Sequence, residues 1–319
     1  MIEWGASVYL KTLSLWNAID VIQETFETDV ITKKVFLKHL EELIDQIPSF
    51  GEISTAFKPR RSGYYAFDGT WLKYRGTDLV LLICFDVETL DLIMYHCDLD
   101  ENYQSYGFLI NKINDVEPGV LDNAKGFYLD GELSLMKHLK EKYPFVPKQL
   151  CAFHKFMRAS QILPFRRAKG MDKEIKELTK KVIFAPSKEE ALKALAKLKR
   201  YAQVHDENKK IRQIIGVLRR NFELLTTHFD HPEMSPYNNT LEGFNHILKR
   251  RLNLMKGFKK DLNVDRWLKL ILLDYRFHKI RSSKLKHRNG KSPLQLACVN
   301  LPKYYNWIKF LRKKVKKKS

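Results

Sequence analysis

Hydrophobic residues follow three successive rhythms along this chain of 319 residues. The first is helical: Tyr9, Leu10 and Leu13, then Leu15, Ile19 and Ile22, then Phe36, Leu40 and Leu43. Ser14 and Thr32 stand where helix N-caps belong, and the third helix is expected over 33–44. The second rhythm is one of short apolar runs. Strands are predicted at 64–68 (extendable toward Tyr74), 79–87, 90–99, 126–130 and 149–154. The unbroken run at 79–87 reads as a strand buried on both faces. The brief Glu88-Thr89 break joins it to 90–99 as a hairpin. Helical spacing at 103–113 and 132–142 separates the later strands. The order is three strands, helix, strand, helix, strand, so the first three run antiparallel and the last two return parallel to the first.

The third rhythm is helical again. From 155 to 230 no strand is expected, and amphipathic helices are predicted at 171–184, 188–203 and 208–225. After Pro236, helices are predicted at 241–254, 264–280 and 304–315. Ile47 to Gly63, with two prolines and the basic run at 58–61, reads as a linker. The fold class is α/β, a mixed sheet of three antiparallel then two parallel strands with an all-α insertion. The expected divisions are a helical part at 1–50, a sheet-bearing core at 57–160, the insertion at 161–235 and a basic helical part at 236–319. Lys33, Lys34, Lys38 and His39 line the outer side of the third helix. That pattern suggests a helix-turn-helix whose last helix enters the major groove, with a plain three-helix cap as the alternative.

Charge sharpens the picture. The formal net charge is +20, and residues 249–319 alone hold 23 basic against 3 acidic residues. A segment so charged suits a polyanion, through phosphate neutralisation and counterion release. Phe258, Trp267, Tyr275, Phe277, Tyr304, Tyr305 and Trp307 are interleaved with that charge, so most of it is expected to fold, leaving 313–319 as a tail. No apolar run is long enough to span a bilayer, and the N-terminus has no secretion leader. Four cysteines without disulfide-like spacing suit a reducing compartment.

Three carboxylates carry the candidate chemistry. Asp68 lies in Phe-Asp-Gly-Thr-Trp on the first strand, Asp130 ends the fourth strand in Leu-Asp-Gly, and Glu242 opens a helix in Asn-Asn-Thr-Leu-Glu-Gly-Phe-Asn-His. A carboxylate ending a buried strand needs a positive partner, and hard cations such as Mg²⁺ supply one. Two such ions shared by these acids could cut a phosphodiester. Taken singly, each acid has an ordinary reading: Asp68 and Asp130 as Asp-Gly turn residues, Glu242 as a first-turn glutamate. Asp86, Asp98 and Asp100 are rivals, with Asp86 better suited to its hairpin turn. Cys151 and His154 are half of a zinc pattern without a second half. His154 is either a core histidine or a residue that orients the site. Glu242, Asn245, His246 and Lys249 point away from the apolar face of Leu241, Phe244 and Leu248.

Phe-Asp68-Gly-Thr-Trp, Leu-Asp130-Gly, Cys151-x-x-His154 and Asn-Asn-Thr-Leu-Glu242-Gly-Phe-Asn together resemble the Asp-Asp-Glu transposases. The resemblance is to insertion-sequence enzymes with a helical insertion and their Mutator-like relatives, and covers roughly 57–280. It implies a ribonuclease H-like core, with Asp68, Asp130 and Glu242 holding two Mg²⁺ (or Mn²⁺) ions. It implies DNA cleavage at the ends of a mobile element, then strand transfer into target DNA. His154 would assist near the scissile phosphate, while His246, Lys249, Arg250 and Arg251 would face DNA. Partners would be double-stranded DNA and a second copy of the chain, with no membrane. The setting would be the nucleoid-bearing cytoplasm of a prokaryote or the nucleus of a eukaryote. The alternatives are a silent DNA-binding derivative, a structure-specific nuclease of the same fold, and a scaffold for acidic protein partners.

Overall fold

The computed structural model describes residues 2–74, 76–205, 207–254, 264–303 and 305–315. Phe258, Tyr304 and the tail after Val315 lie outside the described residues. In chain order come α1 Ile2–Thr12, α2 Leu15–Phe26, α3 Lys33–Asp45, α4 Phe50–Phe57, β1 Tyr64–Tyr74, β2 Thr77–Asp86, β3 Leu92–Asp98 and α5 Tyr103–Val116. Then follow β4 Gly126–Leu129, α6 Leu133–Lys142, β5 Lys148–Leu150, α7 Ala152–Ile162, α8 Met171–Ile183, α9 Lys188–Val204 and α10 Lys209–Arg219. The last are α11 Phe222–Leu225, α12 Thr227–Asp230, α13 Asn239–Leu254, α14 Val264–Phe277, α15 Pro293–Leu296 and α16 Trp307–Val315.

The fold is mixed α/β. The strands form one sheet in the order β3-β2-β1-β4-β5. β2 and β3 are antiparallel, and β4 is parallel to both β1 and β5. Two compact units emerge, and β1 contributes to both. One comprises Met1–Gly63, Asp68–Asn123 and Thr240–Ser319; the other comprises Tyr64–Phe67 and Ala124–Asn239.

In the first unit, Ser14 and Thr32 cap α2 and α3 as expected, accepting from Asn17 N and Val35 N. The stretch read as a linker carries a helix. Ser49 and Glu52 form a reciprocal capping box at the start of α4, and Phe50 and Ile53 are buried. The β2–β3 turn is fixed by Asp86, whose Oδ1 accepts from Glu88 N and Thr89 N and whose Oδ2 accepts from Ser62 N. α14 is buried on nearly every side, with Trp267 fully enclosed. Its Arg276 makes two hydrogen bonds to Asp91, at 2.7 and 2.8 Å, and Arg61 reaches the same carboxylate at 2.7 Å. Arg61 also ion-pairs with Glu117, the residue that follows α5. These charges tie hairpin, α5 and α14 together at a fully buried point, where each needs its partner. Phe277 of α14 stacks on Trp307 of α16 at 5.5 Å, so these two helices of the basic C-terminal region pack together.

In the second unit, β5 stops at Leu150 and the chain turns helical at Ala152. The expected strand over 149–154 is therefore shorter, and His154 lies in the first turn of α7. The cause is visible at the backbone. Cys151 N donates to Leu129 O as the ladder's last bond, and Ala152 N is taken by Pro236 O. The predicted helix over 208–225 is broken at Asn221, which adopts a left-handed φ of 58°. Lys155 closes the carboxyl end of α10 there, donating to Val217 O and Arg220 O. The insertion packs round its own core of Ile175, Leu195, Leu198, Ile211, Ile214 and Leu218.

Candidate active site

Asp68 sits midway along β1, half-buried. Its Oδ1 accepts from Gly69 N at 2.9 Å. Its Oδ2 accepts the side-chain amide of Asn245, from the second turn of α13. Glu242 lies three residues earlier on that helix, so Glu242 and Asn245 are neighbours along one helix face. α13 is seated by Leu241, Phe244 and Leu248. The ring of Phe244 lies 5.3 Å from Phe85 of β2 and 4.7 Å from Tyr275 of α14. An apolar stripe on one side of α13 therefore fixes the acid-bearing helix against β2 and α14. Asn245, expected to point away from the core with Glu242, is instead buried against that strand.

A further acid occupies this place. Glu101, just before α5, lies so close over Gly69 that a Cβ there would fall 2.5 Å from Glu101 Oε1. The Tyr106 hydroxyl donates to that same oxygen at 2.6 Å, and Tyr106 is fully buried. The second residue of the Asp-Gly pair is thus glycine for want of space. Asp98 and Asp100, the rivals in sequence, do otherwise. Asp98 caps Leu99 N and lies 3.5 Å from His96, and Asp100 is exposed.

In the other unit, Asp130 directly follows β4. Its Oδ1 accepts from Glu132 N at 3.0 Å across Gly131, whose φ of 108° suits a residue without a side chain. Glu132 in turn caps α6 through Ser134 N. Cys151 is buried, and His154 half-buried on α7. Arg158, one turn on from His154, brings Nη1 to 4.0 Å from where a Gly131 Cβ would stand.

The basic residues have distinct surroundings. Lys33 lies 5.9 Å over the Trp16 ring, and Lys38 and His39 both pair with Glu42, leaving α3 less cationic than its sequence suggests. His246, Lys249 and Arg250 are exposed. Arg251 is drawn inward to Asp274 of α14 at 2.8 Å, where it secures α13 rather than facing outward.

Sequence reasoning missed Glu101 and Arg158, and it turned Asn245 away from the core instead of toward Asp68. Asn245 had a signal, as the amide that ends the Glu242 motif. Arg158 had a weaker one, its spacing of four from His154. Glu101 had none.

The sheet and its helices describe a mixed α/β protein, with Asp68 within β1, Asp130 directly after β4 and Glu242 in the first turn of α13. A family model described as Transposase, Mutator family, matches residues 113–280, more than half of the chain. The chain belongs to the Mutator family of transposases. No curated protein matches it.

Proposed function

We propose that this chain is a DNA transposase that cuts phosphodiesters at the ends of a mobile element and joins them to target DNA. Family membership supports transposition in general. The observation that carries the finer reading is the bond from Asn245 to Asp68, which ties the helix of Glu242 to the strand of Asp68. β4 runs parallel to β1, with Tyr64 paired to Gly126. The sheet order agrees with a ribonuclease H-like core.

Asp68, Asp130 and Glu242 offer hard oxygen donors, the type Mg²⁺ and Mn²⁺ prefer, and these residues would hold two such ions. Bound there, the ions would lower the pKa of the attacking oxygen and stabilise the leaving one. The chain's own contribution is positioning. Asn245 and the Gly69 amide fix the Asp68 carboxylate, and the Glu132 amide fixes that of Asp130. In the first step a water oxygen bonds to phosphorus and the P–O3′ bond breaks, leaving a 3′-hydroxyl. In the second step that hydroxyl attacks a target phosphodiester, with no covalent enzyme intermediate. His154 assists near the scissile phosphate. Lys33, Lys34, Lys38, His246, Lys249 and Arg250 hold flanking DNA. Two copies of the chain act on paired ends.

The test uses duplexes bearing the inverted repeats that flank the reading frame. Asp68→Ala, Asp130→Ala and Glu242→Ala should each abolish Mg²⁺-dependent nicking while DNA binding persists. Cleavage that survives these changes rules out the assigned site. Cleavage by wild type without joining identifies a nuclease instead.

A further inference from the structure

α7 sorts its residues by face. Ala152, Lys155 and Ala159 are buried, and Phe156 packs on Phe165 and Phe184 at 5.1 and 5.5 Å. The opposite arc carries two adjacent stripes, each one helical turn long. Phe153 and Met157 form the first and are each 43% exposed, large apolar surfaces left open to solvent. His154 and Arg158 form the second. Side chains four apart on a helix lie one above the other, so each pair acts as a unit.

Arg158 stands out for its place and its company. Its guanidinium hangs beside Gly131, the residue after Asp130. Among the described residues no carboxylate ion-pairs with it. It is exposed, and a guanidinium stays charged at any physiological pH. A planar cation beside Gly131 with no carboxylate ion-paired to it invites an anion with several oxygens, and phosphate fits that fork. Gly131 leaves room for it, since a Cβ there would point toward Arg158.

We infer that the outer face of α7 is a track for one nucleic-acid strand running past Asp130: Arg158 grips a backbone phosphate, and Phe153 with Met157 supports the base or sugar beside it. Charge decides the occupant. A phosphodiester strand satisfies the cationic stripe and the apolar stripe together, whereas an apolar protein partner would leave Arg158 buried without a counter-ion. The inference rests on the DNA-cutting reading of Asp130, but concerns binding and is testable apart from cleavage.

The experiment measures binding of the full chain to a fluorescent duplex with a single-stranded tail, without divalent ions, across a salt series. Arg158→Ala should lower the slope of log affinity against log salt by about 1, the mark of one lost phosphate contact. Arg158→Lys should keep the slope and lose part of the affinity, because it keeps the charge but not the fork. Phe153→Ala should leave the slope unchanged and weaken the tailed duplex roughly tenfold more than a blunt one, as lost stacking predicts. Both altered side chains are exposed, so thermal unfolding of all three variants should match wild type. A wild-type slope and affinity in Arg158→Ala overturns the inference. So does a change of DNA-free sedimentation mass at an unchanged slope, which would make α7 a contact between copies. Asp130→Asn separates the two readings: it should keep the slope and lose cleavage. Full cleavage by Asp130→Asn removes the active-site reading and leaves the strand track standing on its own slope data.

Discussion

The amide of Asn245 donates to Asp68 Oδ2, joining two residues 177 positions apart in the chain. A side-chain amide with its proton on a carboxylate oxygen fixes the rotation of that carboxylate and keeps the other lone pairs directed elsewhere. Partners of this kind commonly set the affinity of a metal ligand. Asn245→Ala is expected to lower nicking about 10- to 100-fold and to raise the Mg²⁺ concentration needed for half-maximal rate. Mn²⁺ titration by calorimetry gives a readout independent of cleavage. Unchanged Mg²⁺ dependence and Mn²⁺ affinity would show that the bond is structural only.

Gly69 is crowded rather than flexible. A Cβ at this position meets the Glu101 carboxylate, which Tyr106 holds in place. Gly69→Ala should therefore destabilise the chain by about 1–3 kcal/mol, as overpacking generally does. Adding Glu101→Ala should recover part of the loss. Urea unfolding of the two single variants and the double variant closes the cycle, and strictly additive effects would mean the two residues do not meet.

The buried cluster of Asp91, Arg61 and Arg276 predicts a pH dependence. Burial pushes the Asp91 carboxyl up, but Arg276 and then Arg61 pull it below the usual carboxylate range. A carboxylate whose folded pKa is depressed contributes stability above its unfolded pKa of about 3.9, and loses it as pH falls through the folded value. Asp91→Asn leaves two guanidinium groups without their shared counter-charge and should cost about 3–5 kcal/mol at neutral pH. The gap from wild type should narrow in acid. Chemical unfolding of both proteins across the acid range checks the sign.

Lys155 makes the opposite test. Burial, with Arg158 and Arg220 adding to it, lowers its pKa to about 8. The unfolded chain then holds this proton more tightly, between about 8 and the ordinary lysine value near 10.4. Across that window stability should rise with pH in wild type relative to Lys155→Met. A difference that stays flat with pH would mean the ammonium is not desolvated. The same variant loses the closure of α10 at Val217 and Arg220.

Most of the architecture was legible from spacing. Alternating and helical rhythms locate the five strands of the sheet and the long helices other than α7, since each reflects one face that must leave water. The misreadings have separate causes. The helix α4 hid among polar and proline residues, although Ser49 and Glu52 form a capping signal. β5 ended early because Ala152 N is satisfied by Pro236, a partner remote in sequence. The break at Asn221 depends on a left-handed residue that a helical pattern does not reveal.

The sequence alone determined the order of elements, the two Asp-Gly pairs and the concentration of positive charge after Lys249. Those follow from local periodicity and composition, which each segment carries by itself. Tertiary structure decided which polar groups meet: Asn245 with Asp68, Glu101 over Gly69, and Arg251 withdrawn to Asp274. Such pairings join residues far apart in the chain; for Asn245 and Asp68, the packing of Phe244 on Phe85 and Tyr275 seats the helix that carries the amide.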